Sequence, residues 1–152
     1  MTQAEKLVAL LKAQNRKCAT AESCTGGGVG AAITAVPGAS EVYLGGVVSY
    51  DNSVKERVLG VNRETLDTVG AVSSGCAAQM AEGVRKLTGA DLAVSITGIA
   101  GPGGGSEEKP VGLVWFGLAD QNGVRTEKAI FAGDRAAVRA QATTHALGMM
   151  AV

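Results

Sequence analysis

Aromatic residues are scarce: one Trp, two Tyr and two Phe in 152 residues. Any core must therefore be built from Val, Leu, Ile and Ala, although the 46% hydrophobic content is too high for a disordered chain. A single histidine, His145, means that a Ser-His-Asp or Cys-His mechanism has to use that one residue, and on an Ala-rich helix it reads as structural. The three cysteines, Cys18, Cys24 and Cys76, are odd in number and lack C-x-x-C spacing. Neither a disulfide framework nor a zinc site is supported, and they read as small, reduced apolar residues. An excess of either charge is also missing, with 14 Lys+Arg against 14 Asp+Glu, so electrostatics give no reason to expect a nucleic acid or an anionic membrane. The longest apolar run, Gly112 to Ala119, is far below spanning length, and the opening MTQAEKLVALLK carries charge where a signal peptide is apolar. A cytoplasmic location is expected. Proline is down to three residues and no Gly-X-Y period exists, which excludes a Pro/Gly linker and collagen. Glycine, in contrast, reaches 22, about twice the usual share.

The length suits one domain spanning residues 1–152. Leu7, Leu10 and Leu11 share a face in a helix over Gln3 to Asn15. A short strand at Lys17 to Ala21 runs into the polar turn Glu22-Ser23-Cys24-Thr25-Gly26-Gly27, and a helix follows from Val29 to Ala35, before Pro37-Gly38. Glu41 to Tyr50 is β-rich; Asn52 is expected to cap a helix ending at Leu59, Asn62 a second, and Ser73 or Ser74 a third reaching Leu87. Leu92 to Ile96 reads as a strand that opens, after Thr97, into the glycine-rich loop Gly98 to Pro110. Val111 to Ala119 and Arg125 to Phe131 make an antiparallel pair across Asp120-Gln121-Asn122-Gly123, where Asn-Gly is a hairpin signal, and Asp134 caps a final helix. Helices alternating with buried strands predict a three-layer α/β/α sandwich with a mixed, mostly parallel sheet. The polar segments near Ser23, Tyr50 and Thr97 all follow strand ends, where open α/β sheets bind ligands.

With histidine set aside, a hydrolase here needs another base, and a buried lysine serves when desolvation lowers its pKa. Ser23 sits in a strand-to-helix turn whose amides and helix N-terminus can stabilise an anion; the plainer reading is a capping residue in a glycine turn. Neither a G-x-S-x-G elbow nor a Walker sequence is present, because Glu22 and Cys24 flank the serine and Gly104 follows Gly103. Gly26-x-Gly28-x-x-Ala31 is only superficially like a dinucleotide fingerprint, and Ser106-Glu107-Glu108-Lys109 matches S-x-x-K by number alone. Tyr50 and Lys55 can face the crevice of Ser23 and relay its proton, or they can be a packing residue and a solvated one. Lys109 either meets an anionic ligand or stays in solvent, and Arg135 or Arg139 can bind phosphate through a guanidinium fork.

Ala21-Glu22-Ser23-Cys24-Thr25-Gly26-Gly27, Val48-Ser49-Tyr50-Asp51-Asn52 with Lys55, Gly70-Ala71-Val72-Ser73, Thr97-Gly98-Ile99-Ala100-Gly101-Pro102-Gly103-Gly104 with Lys109-Pro110-Val111-Gly112, and Gly133-Asp134-Arg135 together resemble the CinA C-terminal domain family. That family includes nicotinamide-nucleotide amidohydrolases. The resemblance implies a standalone deamidase of nicotinamide mononucleotide, releasing ammonia in pyridine-nucleotide salvage. By position it implies Ser23 as nucleophile, Tyr50 and Lys55 as proton-transfer partners, and Thr97 as a substrate or oxyanion contact. Further substrate contacts are expected from Glu22, Thr25, Gly26 and Gly27 in the first turn. Gly98, Gly101, Gly103 and Lys109 in the loop, together with Arg135, are expected to supply the rest. The family's other half, an N-terminal molybdopterin-binding-like domain, has no counterpart in these residues. No cofactor and no metal is expected. The expected partners are a small-molecule nucleotide and further copies of the chain, with no nucleic acid and no membrane. The rival reading is a catalytically silent nucleotide-binding or interaction module, since CinA-type proteins are associated by name with competence and DNA damage.

Overall fold

The computed structural model describes residues Met1–Val152. Helix α1 (Gln3–Gln14) opens on a capping box between Thr2 and Glu5, closes on left-handed Asn15, and turns Ala4, Leu7, Val8 and Leu11 inward. There follow β1 (Cys18–Glu22), α2 (Gly28–Thr34), a short 3-10 turn (Ala39–Glu41), β2 (Tyr43–Val48), α3 (Asn52–Leu59), α4 (Arg63–Thr68) and α5 (Ser74–Thr88). The chain ends with β3 (Leu92–Gly98), β4 (Leu113–Asp120), β5 (Gly123–Ile130) and α6 (Arg135–Met150). The strands form one sheet in the order β2-β1-β3-β4-β5. β1 pairs in parallel with β2 and β3, while β4 runs antiparallel to β3 and β5, so only β4 opposes the others. The expected α/β/α arrangement with a mixed, mostly parallel sheet is the one that forms. No helix is long and apolar enough to cross a membrane.

Side-chain alternation divides the two faces. Cys18 of β1 and Leu92, Val94 and Ile96 of β3 join a core of 22 buried residues beneath α1, α2 and α6. Ala19, Ala21 and Ala93 point the other way, into a core of 9 beneath α3 and α5. That second face is lined by small residues, which lets α5 approach the sheet closely. The Ser95 hydroxyl donates to the Ala77 carbonyl at 2.6 Å, and a Cβ added at Gly117 would come within 2.5 Å of the same oxygen. A core assembled from close backbones rather than rings accounts for the few aromatics and part of the glycine surplus.

Some helix caps differ from expectation. Asp51, not Asn52, caps α3, its carboxylate accepting from the Ser53 amide at 3.0 Å. Asn62 stands at the cap of α4 but makes no side-chain bond there. The hairpin turns where expected, across Asp120-Gln121-Asn122-Gly123, with Asp120 paired to Gly123 and Gln121-Asn122 at the tip. A glycine at position 123 meets the positive φ of +132° there.

Candidate active site

The same alternation sets the functional residues. Residues 19, 21 and 23 share a parity, so Ser23, just past β1, points to the α3/α5 face, while Glu22 points to the α2/α6 face. Ser23 continues the ladder by donating its amide to the Ile96 carbonyl at 3.0 Å. Extended by one residue, the Glu22–Ile96 register sets Ser23 beside Thr97.

Lys55 approaches from α3. With Leu59, one turn on, it forms the buried stripe of that helix, and it is only 1% exposed. Its Nζ lies 3.1 Å from Ser23 Oγ, 2.7 Å from the Ser49 carbonyl and 3.0 Å from the Tyr50 carbonyl. No carboxylate forms an ion pair with it. Burial pushes the amine below its ordinary pKa, only partly opposed by the negative charge of Asp51. Carbonyl oxygens can only accept. In a neutral lysine the two N–H bonds are therefore taken by Ser49 and Tyr50, and the lone pair is left for the one partner that can donate, the Ser23 hydroxyl.

Tyr50 contributes differently from expectation. Its phenol does not lie between Ser23 and Lys55: the residue is 63% exposed and Arg135 Nη2 donates to the phenol at 3.3 Å. Arg135 Nη1 donates to the Gly101 carbonyl at 2.8 Å. A chain of contacts thus runs from Ser23 through Lys55, the Tyr50 main chain and Arg135 to the glycine loop. The amides of Ala100, Gly101, Gly103, Gly104 and Gly105 donate to no protein acceptor. Gly98 ends β3, where a Cβ would meet the Leu113 carbonyl at 2.7 Å, whereas Gly103 is open.

Glu22 is not poised for a ligand. Its carboxyl is buried and accepts from the Thr25 hydroxyl at 2.7 Å, the Val29 amide at 2.9 Å and the Gly30 amide at 3.0 Å, tying the turn to the start of α2. Gly26 and Gly27 supply the positive φ values of that turn, +60° and +101°. Glu22→Ala is expected to strand these donors and cost about 3 kcal/mol, lowering Tm by roughly 10 °C in a thermal melt. An unchanged Tm with a raised KM would instead return Glu22 to the substrate. Lys109 is occupied too, its Nζ donating to the Val69 carbonyl. Thr97 is buried beside Ser23 and donates its hydroxyl to the Ala71 carbonyl at 2.9 Å.

Competing chemistries fall away on geometry. Burial pushes the Cys24 and Cys76 thiols up to about 11 and Cys18 to about 12, so they remain protonated and poorly nucleophilic near neutrality. His145 bonds Glu127 at 2.8 Å and stacks on Phe116 with centroids 4.2 Å apart, a structural role. The Ser106 hydroxyl accepts from the Lys109 amide at 3.1 Å and is not paired with the Lys109 amine. A cleft of about 580 Å³ between α1, α2 and α6 does not include Ser23. Two contributions escaped the sequence. The Ser49 carbonyl carries no side-chain signature, and Arg139, weighed there as a phosphate ligand, instead donates to the Cys24 and Thr25 carbonyls at 3.0 and 3.2 Å.

Fold and site together define an α/β/α protein with a serine–lysine pair at the carboxyl ends of its parallel strands. The chain belongs to the CinA family: the CinA C-terminal domain matches residues 1–152. It is 49% identical over 143 residues to a CinA-like protein of Thermotoga maritima, covering 94% of this chain and 35% of the relative. It is 50% identical over 146 residues to a putative competence-damage inducible protein of Caldanaerobacter subterraneus, covering 96% and 35% respectively. The chain thus spans about a third of the length of these relatives. Among solved structures it is similar to the competence/damage inducible protein CihA from Agrobacterium tumefaciens, with TM-score 0.95 and 42% identity over 97% of this chain and 91% of that one. A CinA superfamily protein from Klebsiella pneumoniae gives TM-score 0.94 at 38% identity over 98% and 93%.

Proposed function

We propose that the protein is a cytoplasmic serine amidohydrolase that converts nicotinamide mononucleotide to nicotinate mononucleotide and ammonia. The observation that carries this reading is the buried Lys55 amine, saturated by two carbonyls and aimed at Ser23 Oγ at 3.1 Å. Neutral Lys55 takes the Ser23 proton as Oγ attacks the carboxamide carbon; the C–O bond forms and the carbonyl π pair moves onto oxygen. Amides of the Ser23 turn hold that oxyanion. On collapse the C–N bond breaks, protonated Lys55 gives its proton to the departing nitrogen, and ammonia leaves. Lys55 then deprotonates water, which attacks the Ser23 ester; the ester C–O bond breaks and the proton returns to Ser23. The sum is amide plus water to acid plus ammonia.

The unpaired amides of the glycine loop, with the Arg135 guanidinium at its edge, suit the substrate phosphate. Arg135→Ala is then expected to raise KM by roughly tenfold with kcat little changed, read in steady-state kinetics. Exposed Leu44 and Val48 on the edge strand β2 fit association with a further copy of the chain. Ammonia release from nicotinamide mononucleotide tests the activity. Turnover supports it, while tight binding without ammonia would favour the nucleotide-binding module.

A further inference from the structure

The structure assigns to Arg139 a role in the same reaction: it is the positioning residue that turns the Thr25 amide into an oxyanion donor. The inference rests on Ser23 being the nucleophile, as proposed above. Arg139 lies one helical turn after Arg135, so both project from one face of α6. Its Nε donates to the Cys24 carbonyl at 3.0 Å and its Nη2 to the Thr25 carbonyl at 3.2 Å. Gly26 leaves room for this, since a Cβ there would come 3.2 Å from Nη2.

In a trans peptide the C=O and N–H point in opposite directions. With the Cys24 carbonyl held toward α6, the Thr25 N–H points away from that layer, toward the face from which α3 delivers Lys55 to Ser23. That amide donates to no acceptor in the protein, nor does the Cys24 amide. Both residues are nonetheless buried, at 1% and 5% exposure. Buried N–H groups without partners are rare in folded proteins, because the unmet hydrogen bond costs free energy. Here the adjoining amides of the turn are spent: Ser23 donates to Ile96 and Gly26 to Ser23. The two buried amides left over directly follow the nucleophile in the chain, where an oxyanion site needs donors, and the Gly27 amide, also without an acceptor, is only half-buried. A guanidinium can hold two carbonyls at once, whereas a lysine holds them only as a point charge.

Arg139→Ala is expected to lower kcat for nicotinamide mononucleotide roughly 10- to 100-fold with KM nearly unchanged. Arg139→Lys recovers part of the loss, and added guanidinium recovers part of it in Arg139→Ala. The rising limb of the pH profile, set by Lys55, stays in place. A parallel readout needs no turnover: a fluorophosphonate forms an Oγ–P bond at Ser23 as fluoride leaves, and its phosphoryl oxygen occupies the oxyanion site. Mass spectrometry should show labelling slowed about tenfold or more in Arg139→Ala at matched Tm. Equal labelling and equal kcat in wild type and Arg139→Ala would overturn the assignment of Arg139 alone. Failure of the wild type both to label at Ser23 and to release ammonia would overturn the nucleophile, and this inference with it. A loss accounted for by a lower Tm, with no guanidinium or lysine rescue, would make Arg139 a packing residue and also overturn the inference.

Discussion

Ser23→Ala is expected to abolish ammonia release, by on the order of 10⁴-fold in kcat, with Tm close to that of the wild type. The magnitude follows from removing the only nucleophile that the site offers. Cys24 is adjacent but held protonated, with its thiol near 11, and Ser49 spends its hydroxyl on the Glu22 carbonyl at 3.2 Å. The small effect on stability follows from how few contacts Ser23 Oγ makes. Its side-chain hydrogen bond is the one to Lys55, which keeps two other acceptors. Circular dichroism and a thermal melt accompany the kinetics. A variant with near-native deamidation and an intact fold would remove Ser23 from the chemistry.

Lys55→Met keeps the length and burial of the side chain while deleting the base, and is expected to lower kcat on the order of 10³-fold. On the proposed mechanism activity requires the neutral amine, so kcat is expected to rise with pH as Lys55 loses its proton and then to level off. Desolvation moves that rise to lower pH than an exposed lysine would give. The same shift has a consequence for stability. Between the folded and unfolded pKa values of Lys55 the unfolded chain carries a proton that the folded chain lacks, so stability increases with pH across that window. Below the folded value both states are charged and the cost of burying the charge is felt in full. The Tm of Lys55→Met relative to wild type should therefore fall as pH rises from neutral toward the ordinary lysine range. Parallel Tm profiles for the two proteins, together with a pH-independent kcat, would mean that Lys55 stays charged and is not the base.

Much of this site is visible in residue order. Ser23 and Tyr50 each follow a strand and Thr97 is the last residue but one of β3, and the parallel pairing of β1 with β2 and β3 brings these strand ends together. Lys55 sits four residues before Leu59 on the inward stripe of a short helix, an unusual place for a lysine unless its amine has a task. Glu22, expected as a substrate contact, shows where motif position misleads: one step from Ser23 on a strand exit it faces the opposite layer, and its carboxylate tethers the start of α2. What the sequence hides is main-chain chemistry. The Ser49 and Tyr50 carbonyls that orient the Lys55 lone pair, and the free Thr25 amide, belong to backbone positions whose side chains say nothing of them. Arg139 shows the complementary problem, since its fork suits a phosphate and two carbonyls equally until the fold places Cys24 and Thr25 against it.

The central claim is that Ser23 becomes acylated while Lys55 shuttles the proton. Acid quenching of the protein during its first turnovers with nicotinamide mononucleotide, followed by mass spectrometry of the Ser23 peptide, tests it most directly. The account predicts a peptide carrying the substrate less ammonia as an ester on Ser23, cleaved by hydroxylamine and absent from Ser23→Ala. Ammonia released at full rate by Ser23→Ala, with the wild-type Ser23 peptide unmodified throughout, would contradict it.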